Sequence, residues 1–253
     1  LPLIAGKIEV CGHIRERSVS HEKPGVWHKE VAMSEKKSDT EITTLLLVRH
    51  AESEANAGAY FGSQSDSKLS EKGRQQVAVL TRALTATQVH AVHCSDLSRA
   101  RDTVAPAAEA RGLPVHATPR LRERAMGVLT GLSFDEARAR YPELWREVVA
   151  RTPHAAPPGG ESHAALFDRV ASVLAELIQQ HRGTTVLIGS HGVAINHMLR
   201  FLMGLHDHTL PLWFAVDNAS VSRIDIHHRH GVDAPRLTYV NRVAPLDGAL
   251  LPF

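Results

Sequence analysis

Residues 42–56 read ITTLLLVRHAESEAN. Seven residues, Ile42–Val48, form a short and nearly continuous apolar run, the pattern of a strand buried on both faces. It stops abruptly at Arg49-His50, followed by Ala51, Glu52 and Ser53. Two more apolar runs end in the same way. Val89–Cys94 leads into Ser95-Asp96-Leu97-Ser98-Arg99-Ala100, and Val186–Gly189 leads into Ser190-His191-Gly192. In open α/β sheets, ligands sit at the carboxyl ends of the strands. The expectation is that two arginines and two histidines meet at one sheet edge. That set suits a phosphate, because arginine offers planar, always-charged donors and histidine can donate or attack.

Between these strands the pattern turns helical. Ser70 caps a helix to about Leu84, with Val77, Leu80 and Leu84 on one stripe. Ser98 to about Arg111 is a second helix, ended by Gly112 and Pro114. Residues 134–149 are helical with a break at Pro142, and 154–160 (HAAPPGG) is a loop. Ser162–His181 is a long amphipathic helix with Leu166, Val170, Val173, Leu174, Leu177 and Ile178 facing inward, stopping at Gly183. Val193–Leu202 is a further helix. Val221–Ile226 alternates like a half-buried strand, and Arg236–Val240 pairs with it across a turn at Gly231. The expected fold is α/β: a three-layer sandwich of a mostly parallel mixed sheet with helices on both faces and an antiparallel edge near the end.

Composition narrows the classes. The chain has 253 residues, 43% hydrophobic and 22% charged, as ordinary globular proteins do. Lys plus Arg number 29 against 27 Asp plus Glu, a net charge of +2, which gives no reason to expect a nucleic-acid partner or a membrane surface. No apolar run approaches the roughly 20 residues of a membrane span. Two cysteines, Cys11 and Cys94, make no disulfide framework, so a reducing, cytoplasmic setting is the default. No G-x-G-x-x-G follows the first strand, which disfavours a dinucleotide-binding oxidoreductase. Five of the seven lysines fall in the first 37 residues, and residues 1–40 show no sustained period. They read as a poorly structured N-terminal extension to a domain over 41–253. Met33 opens MSEKK, which looks like a natural start. Residues 1–32 then stand as upstream sequence or as a genuine tail, with the two readings even.

Six strings now stand in order: LLLVRHAESEAN (45–56), LSEKGRQQ (69–76), SDLSRARDT (95–103), LRERAMGVLTG (121–131), GGES (159–162) and SHGVAI (190–195). Each alone is weak as a pattern, and a lone Arg-His pair after a strand is more often a surface pair. Together they resemble the histidine phosphatase superfamily, the phosphoglycerate-mutase-like enzymes, over roughly residues 42–241. The resemblance implies a phosphohistidine intermediate. His50 matches the nucleophile, and Arg49, Arg99 and His191 match the phosphate-holding residues. Glu123 matches the acid that protonates the leaving group, and Asn56 a residue that reaches the bound phosphoryl group. These roles make physical sense. His50 must be neutral to attack, which neighbouring guanidinium groups favour, and a backbone hydrogen bond would fix its tautomer. The arginines and His191 would neutralise the equatorial oxygens during in-line transfer. Neither a metal nor a cofactor is called for.

Departures from the family pattern separate its branches. Ala51 and Ser53 replace the usual Gly and Thr, small changes. The mutase branch carries His and Tyr after its Glu-Arg pair and a Lys further on, groups that help hold a carboxylated triose phosphate. Here those positions hold Ala125, Met126 and Phe134, and the mutases' paired Arg after Trp is reduced to Trp145-Arg146-Glu147. Losing those contacts favours hydrolysis. The expectation is a phosphomonoester hydrolase for small phosphorylated metabolites, with a cap at about 124–158. Arg124, Met126 and Phe134, with Tyr60 and Phe61, then set leaving-group preference. The alternatives are a cofactor-dependent phosphoglycerate mutase and a non-catalytic phosphate-binding protein. A homodimer is the default assembly for a soluble enzyme. Rival features read as structural. Glu161 complements a helix dipole, His227-His228-Arg229-His230 lies in an exposed solvated loop, as do His206 and His208, and Cys94 is a small buried filler.

Overall fold

The computed structural model describes residues 41–207 and 212–244. The expected extension over 1–40, with Cys11 and Met33, and also His208, lie outside the described residues. In chain order the elements are β1 (Glu41–Arg49), α1 (Glu54–Ala57), α2 (Glu71–Leu84), β2 (Ala91–Ser95), α3 (Ser98–Glu109), β3 (Val115–Thr118), α4 (Phe134–Arg140), α5 (Pro142–Ala150), α6 (His163–Gln180), β4 (Thr185–Ser190), α7 (Gly192–Leu202), β5 (Val221–Arg229) and β6 (Val232–Arg242). Short 3₁₀ turns at Pro119–Leu121 and Gly127–Leu129 fall between β3 and α4.

The sheet has six strands in the order β3-β2-β4-β1-β5-β6. β1, β2, β3 and β4 run parallel to one another, whereas β5 is antiparallel to β1 and β6 to β5. This is the mixed sheet expected, with its antiparallel edge at the end of the chain. β1 shows why it is central. Leu45 and Leu47 pack on one face with α6 and α7, through Leu166, Leu174, Ile195 and Met198. Leu46 and Val48 pack on the other with α2 and α3, through Leu80, Leu84 and Val104. Alternate residues of one apolar run thus enter two separate cores, each fully buried leucine contributing about 2 kcal/mol.

Helix ends follow local chemistry. Ser70 Oγ accepts from Gly73 N at the start of α2, and Ser162 Oγ from Ala165 N at the start of α6. Pro142 occupies the first turn of α5, where its missing N–H costs nothing, so the expected break yields two helices, α4 and α5. Two short elements escape periodicity, the four-residue α1 and the edge strand β3, whose Val-His-Ala-Thr carries no apolar run. Among the described residues no helix is long and apolar enough to cross a membrane.

The C-terminal hairpin is longer than its apolar pattern. His230 and Gly231 both have positive φ, 48° and 78°, the geometry of a tight two-residue turn. β5 therefore runs on to Arg229, and the expected exposed loop at 227–230 is corrected: only the turn is loop. His228 is buried, donating Nδ1–H to Asp233 (2.6 Å) and accepting from the Thr43 hydroxyl (2.6 Å). Cross-strand pairing carries polar residues inside when each finds a partner. Among the described residues no group of three or more His, Cys, Asp or Glu could hold a metal ion.

On the opposite side of the sheet, His93 of β2 stacks on His116 of β3 (5.0 Å between ring centres) and meets His181 after α6 (Nε2 to Nε2, 2.9 Å). Burial, then the neighbouring His181 and His116, pushes the His93 pKa from 6.5 down to about 4. The unfolded chain therefore binds more protons between those values. Stability is full above pH 6.5 and falls as pH drops toward 4. Thermal unfolding of His93→Gln should show a smaller loss of Tm between pH 7.5 and 4.5 than the parent protein shows.

Candidate active site

Parallel pairing brings the three strand ends together. Arg49 is level with Ser190, and His50 N donates to Ser190 O (2.9 Å), so the residue after β1 lies beside the residue after β4, His191. β2 flanks β4 on its other side, Cys94 opposite Gly189, and α3 begins just beyond with Arg99 in its first turn. Gly189 permits this closeness, because a Cβ there would lie 2.9 Å from Val104 Cγ1 and 3.1 Å from Cys94 Cβ. Cys94 is fully buried, and burial pushes its thiol up to about 12, so it packs rather than reacts.

The recess holds more donors than acceptors. Arg99 is nearly buried and anchored by two carbonyls, Nη1 to Ser65 O (2.8 Å) and Nη2 to Ser63 O (2.7 Å). Arg49 Nη1 donates to Val216 O (2.5 Å), while its buried Nε has no partner among the described residues. The His191 ring is wholly buried, and both of its nitrogens are likewise unpartnered. It stands edge-on to His50, 5.1 Å between ring centres. A buried donor without an acceptor costs roughly 1–3 kcal/mol. Arg49 Nε and the single N–H of the neutral His191 ring are two such donors, and an anion's oxygens would satisfy them.

His50 itself is oriented. Nδ1 lies 2.7 Å from Ala51 O, so it carries the proton and Nε2 keeps its lone pair. Burial is the main force holding both His50 and His191 well below the ordinary imidazole pKa, with Arg99 the next cause for each. The sequence reasoning credited the guanidinium groups alone; exclusion of water is the larger effect.

Glu123 is placed by a network of its own. Ser190 Oγ donates to Leu121 O (2.8 Å), Arg122 pairs bidentately with Asp96 (2.7 and 2.6 Å), and Arg169 Nη1 donates to the carbonyls of Arg120 and Arg122. The carboxylate then accepts from Arg124 N (2.8 Å) and from Val193 N and Ala194 N at the start of α7 (3.1 Å each). Among the described residues it is the one carboxylate lining the cleft. Two other carboxylates, Glu52 and Glu161, are used elsewhere. Glu52 pairs with Lys72 (2.8 Å), and Glu161, expected to complement a helix dipole, instead binds Arg169 (2.9 and 2.7 Å).

Asn56 caps its own short helix, with Ser53 N, Ser53 Oγ and Asn218 Nδ2 all donating to Oδ1 (3.0–3.1 Å). Those donors orient the amide, leaving its NH₂ for a ligand. Asn218 also donates to His50 O (3.0 Å), a supporting role that no sequence pattern announced.

These groups open onto a cleft of about 400 Å³, which His191 backs but does not line. Tyr60, Phe61, Arg124, Met126 and Phe134, the five expected specificity residues, all line it. Met126, Leu129 and Ala137 form a small core with Phe61, Leu144, Trp145 and Val148, and the Phe61 and Phe134 rings lie 4.9 Å apart. Arg124 is less available than its sequence position suggested. It donates to Glu161 O (2.8 Å), His163 Nε2 (2.8 Å) and Ala155 O (3.0 Å), fastening residues 124–126 to the start of α6. The same cleft is also lined by His163 and Asn196, each one residue beyond a quoted string, and by Arg151, Trp213 and Phe214 from segments without a motif.

The family description "Histidine phosphatase superfamily (branch 1)" matches residues 45–234. The chain belongs to this superfamily. It is 34% identical to phosphoserine phosphatase 1 of Hydrogenobacter thermophilus over 192 residues, covering 76% of this chain and 90% of that one. It is 36% identical to "Probable phosphoglycerate mutase GpmB" of Escherichia fergusonii over 184 residues, covering 71% and 83%. Among solved structures it resembles a mycobacterial glucosyl-3-phosphoglycerate phosphatase in complex with VO₃, with TM-score 0.72 and 29% identity, covering 78% of this chain and 98% of that one.

Arg99 bridges two backbone carbonyls and faces the recess, so its loss removes a charged donor that no neighbour replaces. Arg99→Met should weaken competitive inhibition by orthophosphate by about 10–100-fold, read from steady-state inhibition constants.

Proposed function

We propose that this protein hydrolyses phosphomonoesters of small metabolites through a phosphohistidine at His50, with no metal ion. The observation that carries the reading is the fixed tautomer of His50. Its Nδ1–H is held by Ala51 O, so the Nε2 lone pair is presented beside Arg49, Arg99 and His191.

The chemistry follows from the groups in place. Nε2 attacks phosphorus while the ester oxygen departs on the far side. Arg49, Arg99 and His191 donate to the equatorial oxygens, where negative charge is spread in the transition state. The two arginines are anchored to backbone carbonyls before the substrate arrives, so little reorganisation opposes the step. Glu123 hands a proton to the departing oxygen, then takes one from the water that attacks the phosphohistidine. One difficult displacement becomes two easier ones.

Hydrolysis is favoured over mutase activity by the cleft wall. The positions that carry His, Tyr and Lys in the mutase branch hold Ala125, the buried Met126 and Phe134, and none of them offers a donor to retain a donor phosphate or a triose carboxylate. The phosphatase relatives agree with that preference, and the mutase relative keeps phosphate exchange as the second reading. A cytoplasmic setting is proposed on the cysteine usage alone.

Purified protein should hydrolyse p-nitrophenyl phosphate in excess chelator and be inhibited by vanadate. His50→Ala should lower turnover by at least about a thousandfold and abolish the phospho-enzyme trapped by acid quench. Normal turnover in that variant would falsify the nucleophile assignment. Glu123→Gln tests the acid separately. It should cost about 10²–10⁴-fold on alkyl phosphates and far less on p-nitrophenyl phosphate, whose leaving group needs no proton.

A further inference from the structure

The far end of the cleft is unlike the phosphate end, because nearly all of its polar groups are already spent. Arg124 uses its donors on Glu161 O, His163 and Ala155 O. His163 accepts from Arg124 at Nε2, so its Nδ1 carries the proton that faces His197 Nε2 (3.0 Å). Asn196 is bound to Gly192 O and to both backbone groups of Phe214. What remains for a ligand is mostly apolar, Phe61, Met126, Phe134, Val148, Trp213 and Phe214, with the Tyr60 hydroxyl beside them.

Arg151 is the exception. It follows α5 and lines the cleft with its guanidinium carbon 4.2 Å from the centre of the Trp213 ring. Trp213 in turn meets His163 edge-on at 5.4 Å, so the indole is braced from behind. Among the described residues the Arg151 guanidinium makes neither an ion pair nor a hydrogen bond. Its backbone is left-handed, φ 53°, a conformation that disfavours residues with a side chain, yet arginine stands there. The charges of the lining point the same way. Among the described lining residues four arginines, 49, 99, 124 and 151, stand against a single carboxylate, Glu123. A phosphomonoester dianion answers Arg49 and Arg99. It leaves the exposed cation over Trp213 unanswered.

We propose that Arg151, seated over Trp213, binds a second anionic group on the alcohol portion of the substrate. The site is then built for phosphomonoesters whose leaving group has a flat or apolar body and carries an acid, a carboxylate in the simplest case. The inference rests on the phosphatase reading above and deepens it. The aromatic walls take the body, the indole holds the guanidinium in place by cation–π attraction, and the acid completes its hydrogen bonds. Arg151 is a specificity residue here and takes no part in the transfer.

The test uses matched esters. The 3- and 4-carboxyphenyl phosphates are each compared with the corresponding carboxamide ester, which has the same shape and no charge. The readout is the ratio of kcat/KM for acid over amide, measured in the parent enzyme, Arg151→Met and Arg151→Lys. A ratio is independent of how much enzyme is folded. For at least one isomer the parent ratio should exceed that of Arg151→Met by about tenfold or more, through KM rather than kcat. Arg151→Lys should retain most of the preference, and added salt should shrink it. Equal ratios in the parent and Arg151→Met for both isomers overturn the proposal. Hydrolysis of the carboxamide esters reports on the phosphatase reading by itself; its absence overturns that reading and the subsite with it.

Discussion

The parallel pairing of β1 with β4 is the constraint on which the site depends. It sets Arg49 level with Ser190 and thereby delivers His50 and His191 to neighbouring positions just past the sheet edge. β2, on the other side of β4, brings α3 and Arg99 to the same edge. The Ser190 hydroxyl, bonded to Leu121 O, draws in the segment that carries Glu123. A shift of β1 by one residue would exchange the two faces of the strand and send each leucine into the core packed for its neighbour. The two cores, one on each face of the sheet, therefore hold the register, and the register holds the recess.

That rigidity has a chemical consequence. Two imidazoles and two guanidinium groups share a space from which water is largely removed, an arrangement that opposes protonation of either histidine. Arg49 Nε and both His191 nitrogens lack partners there. The fold tolerates these unsatisfied groups because many leucines and valines are buried on both sides. An anion gains what the protein has left unsatisfied, without further rearrangement. The cleft beyond is the reverse case, with polar groups satisfied internally and apolar walls exposed. The two ends thus differ in what they can recognise, phosphate at one and the body of an alcohol at the other.

Much of the fold was legible along the chain. The alternation inside Ile42–Val48, the caps at Ser70 and Ser162, and the break at Pro142 each have a local cause that survives in the folded protein. Local causes failed where tertiary contacts decide. β3 has no apolar run of its own and exists because β2 offers it an edge. His227–Arg229 read as a solvated loop, yet β5 continues through them because β1 on one side and β6 on the other supply partners. Arg124, read as a specificity residue, spends its donors on the start of α6.

For the site, the division is sharper. Arg49, His50, Arg99, Glu123 and His191 could be named from motifs, because each combines a reactive side chain with a strand end or loop that exposes it. The sequence by itself determined which reactive groups the chain carries and that strand ends would present them. The partners of those groups are mostly backbone atoms, Ala51 O for His50, Ser63 O and Ser65 O for Arg99, Val193 N and Ala194 N for Glu123. Every residue has such atoms, so no pattern marks them in advance. Only the tertiary structure decided which carbonyl fixes the tautomer, which nitrogens stay unpartnered, and that Arg151 would come to rest over Trp213, because each is a matter of distance between segments far apart in the chain.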